Sequence, residues 1–295
     1  MTQKQENALG IVYLLLTALC WGFVASTVKL LTRQVDPYTI SFSRVALATI
    51  VFALLFAWQK GDWRRLKWVL PWIIVGALGR AGNYLFYNTG LTHAPSNAAT
   101  ILAPVQAIGT VMLARWFLGE GIRAKWLGLT LSIGGLILVW WNGKGWQALS
   151  DPQHIWGNVL LVLAGLASAL QFASQKALSG RLSGIEILLP VFAFSTVITA
   201  PFAWTAGGFS RTYSPTTWAW VLFLGIILTG ASFFFLGEGY KRCDASTAVV
   251  ITNTSTFLTL IWSAVLLQEP VSAVMIAGTV LGVMGTLAVV WSDQK

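Results

Sequence analysis

Residues 89–120 read TGLTHAPSNAATILAPVQAIGTVMLARWFLGE, and residues 238–269 read EGYKRCDASTAVVITNTSTFLTLIWSAVLLQE. Letter by letter the two are loosely alike, but their parts come in the same order: an apolar helix end, a short polar link, a helix rich in small residues, and a terminal Glu. Gly90 and Glu120 match Gly239 and Glu269 at one constant offset. Upstream, Gly10 and Lys29 match Gly157 and Lys176 at a second offset, and downstream Gly128, Gly135 and Trp141 match Gly278, Gly285 and Trp291 at a third. Three weak alignments in chain order predict a duplicated architecture, divided at 1–147 and 148–295. Duplicated membrane halves commonly enclose a substrate path between them.

Composition places both halves in a bilayer. Hydrophobic residues make up 56% of the chain and charged ones 10%, against roughly a quarter charged in soluble domains. Apolar runs of about 20 residues, the length that crosses a bilayer, recur near 9–31, 37–58, 68–90, 97–117, 123–141, 155–178, 185–206, 216–239, 245–267 and 272–291. They predict an all-α protein of ten transmembrane helices. The short links leave no room for a soluble catalytic or nucleotide-binding domain, and Gly143-Lys144-Gly145 lacks the spacing of a P-loop and reads as a turn. The segment from Gly10 lacks a cleavage site and reads as a first permanent span. Cys20 and Cys243 are too few for a disulfide framework.

The net charge of +9 is not a nucleic-acid signature, because of how it is distributed. With links numbered from the N-terminus, one side collects thirteen bases, from Lys4 through Arg64, Arg65, Arg123 and Lys241 to Lys295, and the other only Lys29, Arg33, Lys144 and Arg211. That positive-inside bias predicts cytoplasmic termini. Five spans per half is an odd number, so equivalent helices run in opposite directions and the repeat is expected to be inverted.

Most of the 16 Trp fall at span ends, as an interfacial aromatic belt requires. Trp21 is mid-span and either lines a cavity or packs between helices. Gly278 with Gly282, and Gly128 with Ser132, read as close helix packing. Pro104 interrupts span four, with Asn253 at the equivalent place in span nine. Freed backbone groups there point towards the centre of the molecule.

Ionisable groups at membrane depth are costly and usually functional. Arg80 lies near the midplane of span three, and no Asp or Glu falls at comparable depth. It either awaits an anionic ligand group, snorkels through a wet vestibule, or bonds broken backbone. Arg44, nearer one face, reads as structural or gating, like Pro104. Arg80, Asn83 and Tyr87 share a helix face with Tyr84 beside them, and Ser168, Gln171 and Gln175 share one on span six. Two polar-aromatic faces suggest a wet cavity, with Gln106, Thr252, Asn253 and Ser255 as weaker candidates. His93 and His154 fall in links. The sequence offers no nucleophile, metal cluster or acid/base set for an enzyme, and implies no cofactor.

The chain resembles the drug/metabolite transporter superfamily in its EamA-type ten-helix branch. The resemblance rests on Trp21-Gly22, Asp36-Pro37 with Arg44, Ala94-Pro95-Ser96-Asn97-Ala98-Ala99, Pro104, Leu118-Gly119-Glu120 and Gly128. In the second half it rests on Asp244-Ala245-Ser246-Thr247-Ala248 and Glu269-Pro270. Asn253 replaces the second proline. The resemblance implies a secondary transporter with a central cavity, exporting small metabolites across a bacterial inner membrane. Within the branch the chain is most similar to YddG-type aromatic amino acid exporters. The expected substrate-binding residues are Trp21, Arg80, Asn83, Tyr84, Tyr87, Gln171, Gln175 and Asn253: rings for a flat side chain, Arg80 for a carboxylate, amides for an ammonium. The expected partners are a small-molecule substrate and the lipid bilayer, as a monomer or homodimer. Export of drugs or of nucleotide-like or phosphorylated solutes is the alternative, and an embedded enzyme and a packing scaffold stand as further classes.

Overall fold

The computed structural model describes residues 3–59, 69–118, 126–142, 152–178, 181–243 and 245–292. Glu120, Trp63, Trp68, Trp146, Asp244 and the Gly143-Lys144-Gly145 turn lie outside the described residues, as does the side chain of His154. In chain order the helices are α1 (Gln3–Leu31), α2 (Pro37–Trp58), α3 (Leu70–His93), α4 (Leu102–Leu118, entered through a 3-10 stretch Ser96–Ile101) and α5 (Trp126–Trp141). They continue as α6 (Pro152–Leu178), α7 (Gly184–Thr205), α8 (Pro215–Tyr240), α9 (Ala245–Leu267) and α10 (Ala273–Ser292).

Local chemistry sets several of these boundaries. Asp36 caps α2 by accepting from Thr39 N at 2.8 Å, with Pro37 at the first helical position, where no N–H is needed. Ser214-Pro215 starts α8 in the same way. Ser183 and Glu186 form a reciprocal capping box on α7. Pro104 does not break the middle of a helix as the sequence suggested. The preceding turn is 3-10, so α4 proper begins at Leu102 and Pro104 sits in its first turn, where a missing donor costs little.

Among the described residues six helical stretches are long and apolar enough to cross a bilayer: Gln5–Leu31, Pro37–Trp58, Ser96–Leu113, Ile155–Leu178, Gly184–Thr205 and Pro215–Tyr240. Three shorter apolar helices accompany them in α5, α9 and α10. Outward-facing side chains such as Leu54, Val197 and Val265 are apolar, while Thr17, Ser41, Asn88, Ser195 and Thr229 are buried. An apolar exterior over a hydroxyl-rich interior suits a chain whose solvent is lipid. Trp58, Trp116, Trp126, Trp156 and Trp204 stand exposed at or near helix ends, as the belt requires.

The chain alternates in direction. The Lys29 end of α1 meets the last turn of α3, the 3-10 entry to α4 and the Glu269 link. At the opposite end, Arg242 after α8 pairs with Glu6 of α1, and Ser174 of α6 bonds the Trp72 carbonyl of α3. Glycines let the helices close up. A Cβ on Gly79 of α3 would stand 2.7 Å from the backbone N of Gln171 on α6, and one on Gly22 of α1 would collide with Leu258 of α9. Gly278 and Gly282 of α10 press on α5 at Gly135, and Gly128 and Ser132 receive Gly285, which is the helix-packing role read from the sequence. Two large apolar clusters result, with a small third one of Val111 and Leu129. One is centred on Phe52, Phe192 and Phe233 toward the α1 N-terminus, the other on Ile40, Leu91, Ile101 and Leu161 toward Lys29.

Candidate functional site

A cavity of about 390 Å³ opens between α1, α3, α4, α6, α8 and α9. Tyr87, Ala99 and Thr100 are its lining residues nearest the Lys29 end, and it reaches Lys176 and Tyr240 near the C-termini of α6 and α8. It is therefore offset toward the end of the molecule that holds the N-terminus.

Its chemistry centres on α3. Arg80, 3% exposed, donates through Nη2 to the Oε1 of Gln171, and its guanidinium lies 4.5 Å from the Phe233 ring centre, 5.2 Å from Tyr84 and 5.3 Å from Phe192. Its Nε is buried without a hydrogen-bond partner. Arg44 of α2, 5% exposed, stacks 4.1 Å above the same Tyr84 ring and 5.9 Å from Tyr87. Arg44 also donates to Thr229 Oγ1 at 3.3 Å and Asn88 Oδ1 at 3.4 Å, both long contacts. Aromatic faces attract guanidinium groups, so the rings hold the two cations in place without neutralising them. Their other partners are neutral as well.

The wall on α8 is built by an unusual backbone. Residues Phe223–Ala231 wind as a π-helix inside α8, a form that often marks functional positions. The wider turn directs Thr229 Oγ1 to Leu224 O at 2.8 Å and presents that hydroxyl to Arg44. One turn on, Ser232 accepts from Trp21 Nε1 at 3.1 Å, satisfying the indole N–H at the cavity wall. Across the cavity Ser168 of α6 donates to Gln106 of α4 at 2.9 Å.

Of the residues expected to bind substrate, Trp21, Arg80, Asn83, Tyr84, Tyr87 and Asn253 line the cavity. Asn83 is partly committed, donating to the Ala164 carbonyl at 2.9 Å. Gln171 and Gln175 do not reach it; they form a relay behind Arg80, Gln171 Nε2 donating to Gln175 Oε1 at 3.1 Å. Arg44 lines the cavity, whereas Pro104 does not and instead meets Gly282 of α10. His93 is exposed at the end of α3. Reasoning from sequence missed Lys176, Phe172, Phe233, Thr229 and Ser232. Thr229 and Ser232, three apart in an apolar run, were a readable signal, whereas Phe233 offered none. Among the described residues no cluster of His, Cys, Asp and Glu could hold a metal ion.

A helical bundle with an apolar surface, crossing the bilayer several times around a cavity lined by aromatic, aliphatic and a few polar side chains, defines the class: a multi-pass membrane protein with an internal chamber. The EamA-like transporter family profile matches residues 8–141 and 155–291, and the chain belongs to that family of membrane transporters. It is 25% identical over 269 residues to the uncharacterized inner membrane transporter YhbE of Escherichia coli K12, covering 89% of this chain and 83% of that one. An uncharacterized transporter of Archaeoglobus fulgidus is 26% identical over 290 residues, covering 95% and 98%. The uncharacterized transporter YetK of Bacillus subtilis is 26% identical over 276 residues, covering 90% and 82%. One solved crystal structure shares the fold across 100% of both chains, with a TM-score of 0.68 at 18% identity.

Proposed function

We propose that this transporter is a secondary exporter of amino acids, aromatic ones foremost, in the bacterial inner membrane, working by alternating access through the central cavity. The observation that carries the reading is the pair Arg44 and Arg80, flanked by aromatic rings and held only by neutral groups. A guanidinium binds a carboxylate through charge-assisted, fork-shaped hydrogen bonds. Trp21, Tyr87 and Phe172 supply apolar faces for a flat side chain, and Asn253 with the α9 hydroxyls Thr256 and Thr259 offers acceptors to an ammonium.

The two halves, 1–147 and 148–295, act in this reading as inverted five-helix repeats with cytoplasmic termini. Matched contacts support it. A Cβ on Gly90 would stand 3.1 Å from the carbonyl oxygen of Gly157, and one on Gly239 would stand 3.4 Å from that of Gly10, the residue matched to Gly157. With cytoplasmic termini, the Lys176 end of the cavity would face the cytoplasm and the Lys29 seam the outside. The test is uptake of labelled tryptophan, phenylalanine, leucine and glutamate into liposomes carrying the purified protein, with and without a proton gradient. Saturable flux confined to aromatic solutes is expected; no flux of any of the four would overturn the substrate assignment.

A second reading, transport of phosphorylated solutes, is favoured by a third cation, Lys176, on the same cavity. Inorganic phosphate and a sugar phosphate added as competitors in the same liposomes distinguish it.

A further inference from the structure

We infer that the cavity recognises a carboxylate on an aromatic frame without reading an ammonium group, so that aromatic 2-oxo acids are carried in preference to the corresponding amino acids. The inference rests on the reading that this cavity is the substrate site. Its basis is a charge imbalance. Two guanidinium groups, Arg44 and Arg80, line the cavity, and among the described lining residues there is no Asp, Glu or His. A site built for a zwitterion needs a negative or strongly accepting group near the cation it must hold. The acceptors offered here are neutral: Asn253, Gln106 and a set of hydroxyls. Gln106 already accepts from Ser168.

The cationic side is under-satisfied by contrast. Of the five donors of the Arg80 guanidinium, one reaches Gln171, and the buried Nε reaches nothing. The Arg44 donors make two long contacts to neutral oxygens. Two buried guanidinium groups lie against the one Tyr84 ring, and an anion bound beside them lowers the cost of keeping both charges out of water. A ligand ammonium adds a further positive charge to the same low-dielectric space, where like charges are costly. Replacing the ammonium by a carbonyl oxygen removes that cost and gives the guanidinium donors another acceptor. The aromatic ring is retained in both ligands, so ring recognition does not separate them.

The experiment compares labelled phenylpyruvate, phenylalanine and phenethylamine in liposomes carrying the full chain, with the membrane potential clamped. Phenylpyruvate is expected to saturate at a concentration about tenfold below phenylalanine, and phenethylamine to show no flux above empty liposomes. Transport of phenylalanine without phenylpyruvate would overturn this inference and leave the amino acid reading standing. Failure of all three would overturn both. A gain-of-function variant guards against simple misfolding. Asn253→Asp puts a carboxylate into the cavity and is expected to shift the transport ratio toward phenylalanine by about tenfold. An unchanged ratio in a protein that melts like its parent would overturn the inference.

Discussion

Replacing Glu269 by Ala should unlatch the Lys29 end of the molecule, opposite the end where the cavity reaches Lys176 and Tyr240. The carboxylate comes from the link between α9 and α10 but caps a helix start in the other half of the chain. Oε1 accepts from Ser96 N at 2.8 Å, while Oε2 accepts from Asn97 N at 3.1 Å, Ser96 Oγ at 2.9 Å and Ser263 Oγ at 2.5 Å. Next to it the Lys29 ammonium feels the Glu269 charge and donates to the Leu91 and Ala94 carbonyls at 2.7 and 2.8 Å, tying α1 to the end of α3. Ser96 and Asn97 are both buried. Removing the carboxylate strands two buried backbone N–H groups at about 1–2 kcal/mol each and discards the favourable charge at a helix N-terminus. The closed seam should therefore lose about 3 kcal/mol, or roughly a hundredfold in the open-to-closed ratio at that end. A single cysteine in place of Val24, with Cys20 and Cys243 changed to Ser, reports the opening. Its labelling by an impermeant maleimide from the Lys29 side should accelerate by about that factor. Glu269→Gln should fall between, because an amide oxygen still accepts but carries no charge. Parent-like labelling and melting of Glu269→Ala would refute the claim that this cap holds the end shut.

Other substitutions test other parts of the structure. Arg80→Ala should abolish transport while leaving expression and a monodisperse elution profile intact; normal flux through the folded variant would remove Arg80 from the site. Gly135→Val should destabilise the α5–α10 seam by about 1–3 kcal/mol, the usual cost of overpacking, because a Cβ there would meet the backbone of Gly278 and Gly282. The loss is read as a lower melting temperature in detergent. Glu6→Gln should change stability by less than about 0.5 kcal/mol, although it breaks a 3.0 Å pair with Arg242, since both side chains reach solvent and exposed pairs contribute little.

Several parts of the site were legible from sequence because helical spacing says which residues share a face. Arg80, Asn83, Tyr84 and Tyr87 were grouped on that ground and all line the cavity. The same rule placed Gln171 and Gln175 there with Ser168, and only Ser168 arrived. Spacing does not say which neighbour a face meets. Glycines at 76, 79 and 82 bring α3 so close to α6 that Gln171 turns toward Arg80 from behind. Arg44 was read as a structural residue near one face, because nothing local reveals that Thr229 of a π-helical turn, far away in the chain, draws it inward. Lys176 stands out in the sequence only as the match of Lys29, yet it lies near a helix end that the cavity also reaches. The apolar runs were visible because lipid demands them. Polar contacts between distant spans were not, because any buried hydroxyl or amide accepts many partners.

The glycine contacts bear on mechanism as well as fold. A Cβ on Gly135 would stand 2.6 Å from the carbonyl oxygen of Gly278, and one on Gly285 would stand 2.7 Å from that of Gly128, the residue matched to Gly278. Together with Gly90 against Gly157 and Gly239 against Gly10, this makes two independent contacts that recur with partners exchanged. A two-fold relation between the halves produces that pattern without further assumption. Under the alternating access proposed above, such a relation would also set the energetics. If opening one end and closing the other exchanges equivalent contacts between the halves, the packing terms nearly cancel, and the balance falls to features in which the halves differ. Arg44, Arg80 and the π-helical turn of α8 are such features, and all three lie at the cavity. On this proposal, an anion that satisfies the two arginines acts where the two halves differ. A small differential affinity there is enough to shift which end is open.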